Sequence, residues 1–274
     1  MNRAYFNGLK VVANQIPPTD LLLLDLFPDA AGAYSLRKLR AGYTGAAIRV
    51  RRSSDDAEQD IGFDANNDLD TADLLSFVGS GDGFVSVIYD QSTNANNASQ
   101  SILSRQPPIV FSGVLNLVND KPAIKSIRSD STNFTLSTSI TMNTNWLVSS
   151  VIRSNGDTFD MIAGNGPTFF SFHSNLRIRG QANVIIDFQL SPTANQQNIV
   201  AVNSSPSNLT AIVNDLSQDI AADTGDYIIQ NILTHTGTTF IFDGDFQELV
   251  IYQSNQFANL TTIRSNLNNY YNVF

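Results

Sequence analysis

The chain has no cysteine. Disulfides, thiol nucleophiles and thiolate metal centres are therefore excluded. Histidine is nearly missing as well, with His173 and His235 alone among 274 residues, so a conventional zinc site lacks its ligands. Glutamate occurs only twice, as Glu58 and Glu248. Lysine is scarce too, and with it the material of long helices, whereas Asn, Ser and Thr, which serve strands and their turns, are plentiful. Apolar runs are short. Leu21–Leu24 falls far below the roughly 20 residues of a membrane-spanning helix, and Met1-Asn2-Arg3 leads into polar sequence, so no secretion signal is expected. A net charge of −9 with a pI near 4.5 disfavours nucleic acid as a partner.

The charge is segregated. Residues 1–54 hold eight basic and three acidic side chains, while residues 55–100 hold ten acidic and no basic ones. The simplest reading is two surfaces that neutralise each other. The sharper one makes Arg37, Arg40, Arg49 and Arg51 an assembly surface for a partner.

Pro17-Pro18 sets off residues 1–20 as an arm, leaving 21–274 as one domain. The arm either packs on its own domain as an edge strand or docks on a neighbouring copy. Leu36 and Leu39 beside Arg37, Lys38 and Arg40 predict a helix over Ala30–Arg40, closed by Gly42. Alternation in Ala47–Arg51 predicts a strand with Ile48 and Val50 inward. Asp64–Asp70 has the look of a calcium loop but lacks its sixth-position glycine and closing glutamate. A weak calcium site there stays open, though no metal or other cofactor is expected. Asp70 suits the N-cap of a helix over Thr71–Val78. Gly79–Gly83 reads as a turn, since a strand follows it and not a helix.

From Phe84–Tyr89 onward, short strands recur between Asn, Ser, Gly and Asp turns. They are expected at Ile109–Phe111, Ala123–Ile127, Phe134–Leu136, Trp146–Ile152, Phe159–Ala163, Thr168–Phe172, Leu176–Arg179, Val184–Leu190, Ile199–Val202, Leu209–Val213, Thr239–Phe242 and Phe246–Tyr252, with a final helix over Ala258–Tyr271. This rhythm predicts an all-β jelly-roll sandwich with a few small helices.

Two stretches carry a family resemblance. Ala33-Tyr-Ser-Leu-Arg-Lys-Leu39, Gly45-Ala-Ala-Ile-Arg-Val-Arg-Arg-Ser-Ser-Asp55 and Val87-Ile-Tyr-Asp-Gln-Ser-Thr-Asn94 together resemble the start of the arabinofuranosidase B catalytic domain. Thr93 and Ala95 replace two glycines of that family's pattern. Phe240–Tyr252 and the helix after it are similar to the closing strand of laminin G and concanavalin A-like modules. The combination resembles structural proteins of tailed bacteriophages. The resemblance implies a concanavalin A-like fold.

Arabinofuranosidases of this family use a glutamate nucleophile and an aspartate acid beside two adjacent cysteines, and retaining hydrolysis needs its carboxyls about 5 Å apart. No glutamate lies between residues 59 and 247, and Asp160 or Asp187 could substitute without either being singled out. The sequence therefore leads to the expectation of a non-enzymatic virion protein (decoration, fibre or tail component), made in the host cytoplasm. It would act through assembly with other virion proteins and copies of itself, with no catalytic residues and no membrane partner. Binding of host glycans is the alternative, through Asp90, Gln91, Asn94 and Trp146, and a residual glycoside hydrolase is a third reading. Asp90, Ser92 and Asn94 admit a structural reading as well, as side chains that satisfy backbone amides. Trp146, Phe169, Phe170 and Phe172 sit at strand spacing and read as core.

Overall fold

A computed structural model describes residues 21–156, 160–166, 168–173, 175–179, 185–206, 208–221, 226–234, 236 and 240–274. The expected N-terminal arm lies outside the described residues, as does His235.

The fold is an all-β sandwich of antiparallel sheets with small helices. One sheet has seven strands among the described residues, in the order Ala30–Ser35, Gly244–Tyr252, Trp146–Ser154, Gln197–Ser204, Leu209–Val213 and Leu216–Ile220, with Ile124–Ser126 also on Gly244–Tyr252. The other has twelve. Its main path runs Ile185–Asp187, Asn175–Arg179, Thr168–His173, Asp160–Asn165, Tyr227–Ile232, Phe134–Met142, Ala98–Ser99, Gly83–Ile88, Ile48–Arg52 and Glu58–Ile61. Pro108–Phe111 and Val114–Leu115 extend it from Gly83–Ile88.

Successive side chains on a strand point to opposite faces. In the central strands of the smaller sheet both faces are covered. Val148, Ile152, Val200, Val202 and Leu249 enter the core between the sheets. Their neighbours Leu147, Val151, Ile199, Ala201 and Val250 enter a second core under the helix Leu260–Tyr271. That helix contributes Leu260, Ile263, Leu267 and Tyr271 at helical spacing. Burial on both sides is why these strands read as continuous apolar runs.

The helix expected over Ala30–Arg40 is replaced by the strand Ala30–Ser35, paired with Gly244–Tyr252 from Ala30↔Tyr252 to Ser35↔Glu248. The local pattern there loses to tertiary pairing. Gly32 shows the fit, since a Cβ at that position would come within 3.0 Å of Ile140 and of the Tyr34 ring. The strand expected over Thr239–Phe242 is also displaced. Thr239 is outside the described residues, Phe240 has φ 52°, and the strand begins at Gly244. The helix Thr71–Val78 forms as expected, with Asp70 accepting the amide of Asp73 at 3.0 Å.

Candidate functional site: a cavity on the outer face of the larger sheet

Alternation in two adjacent strands builds the site. Val50 and Val85 are fully buried in the core, so their neighbours Arg51 and Phe84, paired across the strands, lie on the outer face. There they line an open cavity of about 490 Å³. That is within the range of about 300–1,000 Å³ usual for small-molecule sites. Leu103, Ser104, Gln106, Pro108 and Phe111 also line it, together with Asp82 and with Ile127 and Asp130 of a turn.

The floor is held rigidly. Arg51 Nε donates to Gln106 Oε1 at 2.6 Å, its Nη1 to Asp56 Oδ1 at 2.6 Å, and the guanidinium lies 4.7 Å from the Phe84 ring centroid. Gln106 Nε2 in turn donates to the Gln100 carbonyl at 3.0 Å. Among the described residues, two carboxylates share the cavity. Asp82 Oδ1 accepts the Ser112 amide at 2.7 Å, and Asp130 Oδ1 accepts the Ser129 hydroxyl at 2.9 Å. Among the described residues neither Oδ2 is assigned a donor, so each carboxylate keeps an oxygen to offer. Behind the Ile127–Asp130 turn, Arg128 Nη2 donates to the buried Asp160 at 2.6 Å. Asp160 also takes the Ser154 hydroxyl and the Asp243 amide. Asp160 is thus fully enclosed, and Asp187 lies far along the sheet in an ion pair with Arg177.

The residues singled out by sequence fall elsewhere. Asp90 is buried, with Oδ1 accepting the amides of Ala33 and Ser92 and Oδ2 the Ser92 hydroxyl and the Asn96 amide. Gln91 is fully buried and clamps Leu39 N, Ser35 O and Arg37 O. Trp146 is in the core, stacked on Tyr227 at 5.2 Å. Asn94 alone reaches a surface hollow, at the other end of the Gly83–Ile88 strand from Asp82. Phe169 and Phe170 are buried; for Phe172 and His173 only the strand position is described.

The four arginines named as an assembly surface are not one surface. Arg37 is buried against Glu248, and Arg40 sits half-buried beside Tyr43. Arg49 pairs with Asp60 in the open, and Arg51 floors the cavity. Arg49–Asp60, Arg51–Asp56 and Arg52–Asp55 join the basic block to the acidic one. The hydrogen bond from Arg49 lowers the Asp60 carboxyl from its ordinary range. Burial, and then the hydrogen bond to Asp60, push Tyr89 up to about 12. In the Asp64–Asp70 loop, Asp64 Oδ1 accepts the amides of Asn66 and Asp68, the bonding of a self-capped turn.

The site is thus a cavity with polar and apolar walls on the outer face of an antiparallel sandwich. A family model described as the catalytic domain of alpha-L-arabinofuranosidase B matches residues 18–125. Eight of the ten described residues that line the cavity fall in that span, from Arg51 to Phe111. Among solved structures, a GH54 α-L-arabinofuranosidase soaked with a cyclic sulfate inhibitor is similar, with a TM-score of 0.61 and 14% identity over 87% of this chain. An arabinofuranosidase complexed with arabinofuranosyl-α-1,2-xylobiose is similar at TM-score 0.60 and 15% identity, again over 87% of this chain. The chain spans 62% of the length of both structures. No curated protein sequence matches. The chain thus contains an arabinofuranosidase-like sandwich domain.

These findings correct the expectation of a non-enzymatic virion protein. The matching family is one of glycoside hydrolases, and nothing in the comparisons supports a decoration, fibre or tail role. Missing cysteines and scarce glutamates point away from an enzyme, and no local pattern shows that Asp82 and Asp130, from separate segments, line one cavity.

Proposed function

We propose that the domain is a glycoside hydrolase that removes arabinofuranosyl groups from a glycan, with the 490 Å³ cavity as its sugar site. The observation that carries this reading is the overlap of that cavity with the segment matching an arabinofuranosidase catalytic domain. Glycoside hydrolysis uses two carboxyl groups flanking the scissile bond, one protonating the leaving oxygen and one acting as nucleophile or as base toward water. Asp82 and Asp130 supply this pair. In this reading an aspartate does the work that a glutamate does in the resembling family, its shorter side chain keeping the chemistry and altering the reach.

Phe84 and Phe111 offer apolar faces to sugar C–H groups, while Ser104 offers a hydroxyl partner. The test is a panel of 4-nitrophenyl furanosides and pyranosides incubated with the purified chain. Release confined to α-L-arabinofuranoside, or strongest there, is expected. Inactivity across the panel would overturn the proposal.

A further inference from the structure

A second cavity, of about 340 Å³, opens at the opposite end of the Gly83–Ile88 strand. The two hollows share none of their described lining residues. The walls of the second come from the loop Asn94–Asn96, from Ser137–Ile140, and from Gln253. None of the described lining residues is charged.

Two backbone irregularities create it. The strand Phe134–Met142 pairs Thr135 with Asn231 and Ile140 with Ile229, so five steps on one side meet two on the other. The surplus residues are pushed out of the ladder as a bulge, a device that re-aims side chains beside binding sites. Gln230 Nε2 donates to the Leu136 carbonyl at 2.6 Å and so fills the gap in the ladder. Facing the bulge, Ala95 holds φ 53°, a conformation sparsely used by residues with a Cβ. Asn96 locks the two walls together, with Nδ2 donating to Thr138 O at 2.7 Å and Oδ1 accepting Thr138 N at 2.8 Å.

The amides are oriented by their nitrogen ends. Asn94 Nδ2 donates to the carbonyls of Ala30 and Ala31, and Gln253 Nε2 donates to Thr141 O at 2.7 Å. Among the described residues neither Asn94 Oδ1 nor Gln253 Oε1 is assigned a donor. Both are fixed acceptors beside the exposed Ser139 and Thr138. Ala31, Ala95 and Ile140 add apolar contacts. Preset acceptors, free hydroxyls and small apolar patches without charge match a polyhydroxylated, uncharged ligand.

We propose that this hollow is a secondary binding site for neutral oligosaccharide. It is separate from the cavity assigned to hydrolysis and does not rest on that assignment. Xylotriose and maltotriose, with trigalacturonate as the charged control, are titrated into the ¹⁵N-labelled full chain. Amide signals from residues 94–96 and 137–140 should move with at least one neutral sugar and not with the acid. Ser139→Trp fills the hollow from an exposed position, and Gln253→Ala removes one acceptor. Each should weaken binding at least tenfold, while Asp130→Asn in the other cavity leaves it unchanged. No movement at these amides with either neutral sugar, equal movement with trigalacturonate, or undiminished binding in both hollow variants would overturn the proposal. A chain that binds here and hydrolyses nothing would retire the hydrolase reading alone.

Discussion

Arg37 and Glu248, 211 residues apart, are joined by two parallel bonds, Nε to Oε2 at 2.7 Å and Nη2 to Oε1 at 3.0 Å. Both are almost fully buried, with side-chain exposures of 6% and 1%. The same carboxylate accepts the hydroxyls of Ser35 and Tyr271, so one glutamate fastens the first strand and the last helix to Gly244–Tyr252. Removing one partner of a buried pair leaves the other charged and unsolvated, at a cost of about 3–5 kcal/mol. Glu248→Ala should therefore lower the urea midpoint steeply. A loss within the scatter of surface substitutions would show the pair to be dispensable.

Asp70→Ala removes the cap of the Thr71–Val78 helix, whose Asp73 amide would lose its acceptor. A loss of about 1 kcal/mol is expected in urea unfolding, the usual worth of such a cap. Asp70→Asn, which can still accept, should retain most of that stability.

High pH should unfold the protein through its tyrosines. Burial raises Tyr43 and Tyr89 from 10.0 to about 12, and it also raises Tyr34, Tyr227, Tyr252 and Tyr271. A folded-state pKa above the unfolded value means that the native state holds the proton more tightly. Its stabilising contribution is then complete below pH 10 and is lost as pH climbs through about 12. Urea midpoints should be level from pH 8 to 10 and fall beyond, together with a rise in tyrosinate absorbance. Tyrosines that titrate near 10 without loss of structure would contradict this.

Arg51 holds Gln106 and Phe84 in the cavity proposed as the sugar site, and in that reading it is a positioning residue. Lysine cannot reproduce the guanidinium fork. Arg51→Lys is expected to raise KM several-fold for an aryl arabinofuranoside while kcat changes less. An equal drop in kcat at unchanged KM would place Arg51 in the chemistry itself.

The sandwich was legible in the sequence because short strands and Asn-, Ser- and Gly-rich turns leave a local trace. Leu209–Val213 and Thr71–Val78 match their expected bounds. Ala30–Ser35 was not legible, since its partner Gly244–Tyr252 lies at the far end of the chain and no local pattern announces it. Tyr227–Ile232, central in the larger sheet, was not legible either, since Gln230 and Asn231 interrupt its apolar run. The outer cavity left no motif at all. Arg51, Asp82, Gln106 and Asp130 come from four separate segments, and only strand pairing brings them together. Asp90 and Gln91 drew notice for being polar and clustered, yet their hydrogen-bonding capacity is spent on backbone inside the fold.

The carboxyl pair proposed for Asp82 and Asp130 in the outer cavity is open to kinetic test. Its most direct test is the rate of 4-nitrophenol release from 4-nitrophenyl α-L-arabinofuranoside by the parent chain, Asp82→Asn and Asp130→Asn, each checked for an unchanged unfolding midpoint. Each substitution should cut kcat at least a hundredfold, in keeping with the roughly 10²–10⁴ contributed by a positioned acid or base. Activity at the parent level in both folded variants would contradict the assignment.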